Sequence, residues 1–139
     1  MVTYNKFNQF VEDIANGVHN LSSGAITVAL TATANAPVAT NEVLADLTPI
    51  AYTNLSALLI TKTSSLQVSG TYSLILADLT LTASGAVAPF QYVVIYNDTP
   101  SSPANPLICW FNYGSAVTLA SGDQFVINFD NVQGLFQIA

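Results

Sequence analysis

The residues of this chain that could do chemistry are few and far apart. His19 is the single histidine and Cys109 the single cysteine among 139 residues. A catalytic histidine needs a nucleophile beside it and an acid that orients it, and no spacing in the sequence places either one near His19. We therefore interpret His19 as a positively charged group that stabilises the end of a helix through the helix dipole.

Cys109 and Trp110 lie side by side in the apolar run Ile108–Phe111. Such a setting predicts a buried, inert thiol, and it favours a core tryptophan over a platform for binding sugars. Because a lone cysteine forms no intrachain disulfide, the composition fits synthesis in the cytoplasm.

The eight acidic residues are scattered, and the adjacent Glu12–Asp13 pair is the closest spacing. None of them follows the alternating pattern of a calcium loop, and a glycosidase would need two facing carboxylates. We predict no catalytic, cofactor-binding or metal-binding residues, so the chain is not expected to be an enzyme and needs no cofactor.

Charge is nearly absent from the sequence. Asp, Glu, Lys and Arg make up 7% of the residues, Lys6 and Lys62 are the only basic ones apart from His19, and the net charge is −6. Two lysines cannot neutralise several phosphates, so we expect no nucleic-acid partner. No apolar run approaches the roughly 20 residues of a membrane span, so we expect no membrane partner either. A surface with so little charge suits a protein that is packed against other protein.

The N-terminal part has a helical pattern. Apolar side chains recur every three or four residues from Phe7 to Val18, which indicates one amphipathic helix. With Asn5 as N-cap and Gly17 at the end, the predicted helix runs from about Asn5 to Val18.

The rest of the chain reads as strands. Ile26–Thr31 alternates apolar and polar residues, whereas Phe90–Tyr96 and Leu107–Tyr113 are continuous apolar runs typical of strands buried on both faces. Further strands are predicted around 57–63, 66–68, 72–76, 79–81, 117–119, 124–129 and 135–138. This pattern predicts an all-β, antiparallel sandwich, jelly roll or barrel in a single domain (1–139), with a helical segment at 1–20 and the β-domain at 21–139. Its predicted core includes Tyr92, Val94, Trp110 and Phe125.

The long connection between the two apolar runs, Asn97–Pro106, contains Pro100, Pro103 and Pro106. Three prolines stiffen a loop, and ordered loops at the end of a sandwich commonly make contacts. We predict that this loop is a contact element, together with the N-terminal segment Met1–Val18.

Several segments, in order, resemble a family of small bacteriophage virion proteins of the capsid cement or decoration type. They are Tyr4–Asp13, His19–Leu21, Ile26–Thr31, Ala36–Asn41, Val43–Thr48, Leu76–Thr80, Tyr92–Asp98, Tyr113–Ser115 and Leu119–Asp123. The resemblance covers nearly the whole length, but Tyr52–Ser56 lacks the glycines of the family pattern.

The resemblance implies a jelly-roll-like sandwich that binds the outside of the major capsid shell and stabilises it. The expected location is the capsid exterior of a virion, after synthesis in the host cytoplasm. The expected partners are the major capsid protein and further copies of this chain, as a dimer or trimer. The predicted interface residues are Phe7, Phe10, Ile14, Asp98, Pro100, Pro103 and Pro106, although the first three could instead cover the chain's own sheet.

Two other functions fit the same sequence. A tail, neck or fibre component of the virion would share the composition and the fold. A carbohydrate-binding module would use Trp110 and the 97–106 loop, and would require an exposed indole ring beside a groove.

Overall fold

A long antiparallel pair of strands organises the computed structural model, which describes residues 2–139. Within that range there are one α-helix and nine β-strands: β1 Tyr4–Lys6, α1 Gln9–Ala15, β2 Ile26–Thr31, β3 Lys62–Val68, β4 Thr71–Leu76, β5 Leu79–Thr82, β6 Val87–Asn97, β7 Leu107–Leu119, β8 Gln124–Ile127 and β9 Phe136–Ile138. The longest strands, β6 and β7, correspond to the two apolar runs of the sequence.

The strands form three antiparallel sheets. The largest has the order β1-β7-β6-β2, and the smaller ones have the orders β3-β4-β9 and β5-β8. The prediction of an all-β antiparallel protein with one N-terminal helix is confirmed, and the sheets do not close into a barrel.

Within the large sheet, β6 is buried on both faces from Val93 to Asn97, as predicted. The same prediction for Leu107–Tyr113 holds only for Leu107–Cys109, because β7 is exposed from Asn112 onwards. On one face Val93 and Ile95 of β6 belong to the main core, which also includes residues of the smaller sheets such as Leu74 and Leu81. On the other face Val94 and Tyr96 pack with Phe7 and Leu107 in a smaller core. The alternation of successive side chains across a strand explains why β6 has no polar face.

The helix is shorter than predicted, and its expected N-cap is wrong. Residues 4–6 form β1, which pairs with β7 so that Asn5 lies opposite Trp110. The helix begins after Asn8 and ends at Ala15. Gly17, with φ at +73°, lies just beyond that end in the left-handed region, as its predicted role requires. Pairing with a buried strand therefore outweighs helix propensity for residues 4–6.

Two predicted strands are also corrected. Residues 57–60 make only isolated contacts with β2, such as the hydrogen bond from Val28 N–H to Leu58 C=O (2.9 Å). Residues 117–119 belong to β7, because the strand continues past a bulge. Tyr92 lies opposite Asn112 and Phe90 opposite Val117, so the intervening segment of β7 carries three extra residues.

The predicted core residues are buried to different degrees. Val94 is fully buried, which confirms its prediction. Tyr92, Trp110 and Phe125 are only half-buried. The indole ring of Trp110 packs against the ring of Phe7, with ring centroids 4.5 Å apart. Of these two rings, Phe7 is fully buried and Trp110 is partly exposed.

We predict that Phe7→Ala lowers the free energy of unfolding by about 3–5 kcal/mol, because it removes a ring that no water reaches. Val11→Ala is the matched control, since Val11 is 53% exposed and should change stability by less than about 0.5 kcal/mol. Denaturant unfolding of both variants measures the difference. Equal stability of the two variants would contradict the placement of Phe7.

Candidate contact surfaces

The predicted contact loop is an ordered hairpin with a hydrogen-bonded base. Asn97 N–H donates to Pro106 C=O (3.0 Å), and Asn105 N–H donates to Pro100 C=O (3.3 Å). The loop is also tied to its neighbours, because Asp98 N–H donates to Ala25 C=O (2.8 Å). These bonds leave residues 101–104 as an exposed tip.

Neighbouring segments hold the loop from both sides. Leu44 N–H donates to Asn105 C=O, and Leu107 N–H donates to Glu42 C=O, both at 3.0 Å. On the opposite side, Ala25 N–H donates to the Thr99 hydroxyl oxygen (2.8 Å). The loop is therefore fixed in position relative to the large sheet.

A buried polar cluster connects the helix to the base of this loop. His19 Nε2 lies 4.0 Å from Asp13 Oδ2 at the end of α1. On its other side, His19 Nδ1 lies 3.4 Å from the side-chain amide of Asn97. All three residues are less than a tenth exposed, so the cluster is a buried bridge between the two predicted contact elements.

The cluster is tightly surrounded. The other carboxylate oxygen of Asp13 accepts a hydrogen bond from the Gln9 amide (3.1 Å), and the ring of Phe10 meets that of His19 edge-on at 5.2 Å. Gly24 lies against Asn97, since a Cβ there would come within 2.7 Å of both polar atoms of the Asn97 amide. A side chain at position 24 would therefore clash with the Asn97 amide and with Asn20 C=O.

The interpretation of His19 as a charged helix-end group is wrong. Burial lowers the pKa of His19 below 6.5, and the nearby Asp13 carboxylate opposes that shift only in part. Desolvation penalises the charged imidazolium more than the carboxylate stabilises it. His19 is therefore a neutral, buried linker.

The Cys109 thiol is as inaccessible as predicted. It is 0% exposed, and burial raises its pKa well above the ordinary value, a shift that the neighbouring Tyr4 hydroxyl opposes only in part. Burial and the adjacent thiol also raise the pKa of Tyr4. A thiol that stays protonated and out of reach of solvent is not a nucleophile.

The structure distributes the seven predicted interface residues between core and surface. Phe7, Phe10 and Pro106 are buried, Ile14 and Pro100 are partly exposed, and Asp98 and Pro103 are exposed. Within this chain the rings of Phe7 and Phe10 cover its own sheets, so the surface available at the loop comes from Asp98, Pro100 and Pro103.

An apolar groove of about 350 Å³ lies between the bulged end of β7 and β8. Its wall includes Phe111, Phe125 and Phe129, and Tyr113 stands 53% exposed at its edge. The ring of Tyr113 meets Phe125 edge-on at 5.5 Å. Sequence reasoning missed this groove because the bulge that places Tyr113 there has no clear sequence signal.

The acidic residues remain dispersed in three dimensions. Among residues 2–139, no three His, Cys, Asp or Glu side chains come together in a way that would hold a metal ion. None of the helices in the same range has the length and apolar character that crossing a bilayer requires.

Comparison of the chain with known protein families, with curated proteins and with solved structures found no match.

We predict that stability falls as the pH drops below about 6.5, the ordinary pKa of histidine. The unfolded chain then binds a proton that folded His19 resists, because its pKa is lowered in the fold. The contribution of His19 to the free energy of unfolding is therefore largest above that pH and decreases as the pH falls below it. Once the pH is below the pKa of His19 in the folded state, this contribution no longer changes.

His19→Gln keeps a neutral polar side chain and removes the titration. Denaturant unfolding between pH 7.5 and about 5 should show a slope for the parent and a smaller slope for this variant. Equal slopes would contradict the neutral, buried state of His19, whatever the absolute stability of the variant.

Proposed function

We propose that this chain is a capsid cement protein, a jelly-roll-like sandwich that binds the outside of a bacteriophage capsid and stabilises it. It would do so by covering seams between copies of the major capsid protein. The family resemblance of the sequence names this role, and the character of the surface supports it.

The observation that carries the proposal is the amount of apolar surface on a chain with few charges. Large apolar side chains that are at least 44% exposed occur on several elements: Val2, Val11, Val38, Leu59, Leu66, Val68, Tyr113, Val126, Val132 and Ile138. The whole sequence contains ten Lys, Arg, Asp and Glu residues. Burying such a surface against another protein leaves few unpaired charges, each of which would cost several kcal/mol.

The 97–106 loop fits the same role. Its base is held by hydrogen bonds to Ala25, Glu42 and Leu44, so binding orders few additional residues. The loop presents one carboxylate, that of Asp98, and two prolines with exposed surface, Pro100 next to the tip and Pro103 within it. Many weak contacts of this kind multiply over the symmetric lattice of a shell.

Attachment that depends on apolar burial and hydrogen bonds should resist salt. We predict that virions retain the chain through a wash at about 1 M salt, where charge-driven contacts are screened beyond roughly 3 Å. Virions that lack the chain should rupture at a lower temperature than virions that carry it. Equal heat resistance combined with failed adsorption would instead identify a tail or receptor-binding component.

We predict that Ala104→Lys at the loop tip lowers the occupancy of the chain on virions about tenfold or more, because it buries an unpaired charge at the contact. Ala120→Lys is the matched control, since Ala120 is also an exposed loop alanine. Both variants should melt like the parent, and quantitative mass spectrometry of purified virions gives their occupancy. If both variants occupy virions equally, the loop is not the contact element.

A further inference from the structure

The strand β3 has an open edge. β4 pairs with one side of it, and Lys62, at its start, donates a hydrogen bond from its amino group to Gly24 C=O. The pairing with β4 is irregular between Lys62 and Ser64. From Ser64 to Val68 the strand has no proline, charge or irregularity, and it ends at the two-residue connection Ser69–Gly70. Natural sheets usually protect an exposed edge with prolines, charges or bulges.

The backbone groups on this edge can be identified from the neighbouring strand. Ser65 lies opposite Leu74, and Leu74 C=O accepts a hydrogen bond from Leu135 N–H (2.7 Å) on the far side of β4. Ser65 and Leu74 are therefore a pair that does not exchange hydrogen bonds, so the N–H and C=O of Ser65 point away from β4. Gln67, two residues further on, points the same way.

These groups have no partner in the chain. Among residues 2–139, no hydrogen bond joins the main-chain N–H or C=O of Ser65 or Gln67 to another element. An extended strand that runs antiparallel to β3 offers donors and acceptors in the matching order.

Two of the exposed side chains of β3 are apolar, and the strand carries a single charge. Leu66 is 67% exposed and Val68 is 72% exposed, although both lie on a strand. Lys62 is the only charged residue of the sheet β3-β4-β9, and all eight acidic residues lie outside it. A second copy of the chain therefore meets no acidic side chain here, despite the net charge of −6.

We propose that β3 pairs antiparallel with β3 of a second copy of this chain, across a two-fold axis that passes through Leu66. In this register Ser65 of each copy exchanges hydrogen bonds with Gln67 of the other. Leu66 then faces its own counterpart in a pair without hydrogen bonds, where side chains are closest. Such an interface is isologous and closes as a dimer. The dimer extends the cement proposal but needs no capsid, so the isolated chain tests it separately.

The first test compares two lysine substitutions by analytical ultracentrifugation over a dilution series. Leu66→Lys places two positive charges opposite each other at the axis, so its dissociation constant should rise about tenfold or more. Val132→Lys makes the same chemical change at a residue that is 76% exposed on another segment, and it should dimerise like the parent. A parent that is monomeric throughout, or a Leu66→Lys variant that dimerises equally well, overturns the proposal.

The second test reads the register by cysteine cross-linking, with the buried native Cys109 as an unreactive background. Two Cα atoms in a pair without hydrogen bonds are about 4.5 Å apart, within the disulfide range of roughly 4.4–6.8 Å. Leu66→Cys should therefore form a covalent dimer on mild oxidation. Val68→Cys is more exposed but would face Ser64 of the second copy, so it should stay monomeric on a denaturing gel. Equal cross-linking of both variants contradicts the two-fold register.

Failure of the dimer and failure of the cement role give different results. A chain that is monomeric in solution yet abundant on the capsid overturns the β3 pairing alone. A dimer that is absent from the capsid overturns the cement role alone.

Discussion

The pairing of β6 with β7 is the interaction on which the other parts of the structure depend. These strands lie at the centre of the large sheet, and β6 buries side chains on both of its faces. A strand with two buried faces needs a cover on each side, and the smaller sheets supply one cover while Phe7 and the 44–47 segment supply part of the other. The 97–106 loop connects these two strands, so the pairing of β6 with β7 fixes where the loop begins and ends.

The interior of the fold contains a small cluster of polar side chains between the helix and the 97–106 loop. Asp13, His19 and Asn97 form a buried polar bridge in which the histidine is neutral. Asp13 Oδ2 and His19 Nε2 have no hydrogen-bond partner among residues 2–139. Buried polar atoms without a partner carry the cost of their desolvation, so this contact does not stabilise the fold by itself. The cluster lies where the helix meets the base of the 97–106 loop, beside the surface that we propose to contact the capsid.

Those parts of the fold that depend on local pattern could be predicted from the sequence. The alternation of Ile26–Thr31 and the apolar run Phe90–Tyr96 identified β2 and most of β6. The helix was predicted too long, because the spacing of Phe7 and Phe10 fits a helical stripe equally well. Phe7 in fact packs in the smaller core and Phe10 in the main one, a division that depends on β1 pairing with a strand over 100 residues away.

Less of the candidate site could be predicted. The proline spacing identified the 97–106 loop, but Asn97 and His19 are separated by 78 residues and no spacing links them. The apolar groove depends on the bulge in β7, which carries three extra residues. The open edge of β3 depends on which side of that strand pairs with β4. Both features result from the pairing of strands that are distant in the sequence. The alternation of apolar and polar residues within one segment does not predict that pairing.

We propose that many copies of this chain cover a capsid shell. Cryo-electron microscopy of the intact virion, with the chain labelled, tests it most directly. If the chain is a cement protein, a protein of 14.7 kDa is repeated over the outer shell, on the order of hundreds of copies according to the symmetry of the lattice. Label confined to the tail or neck, at roughly a dozen copies or fewer as cyclic symmetry there would give, would contradict it.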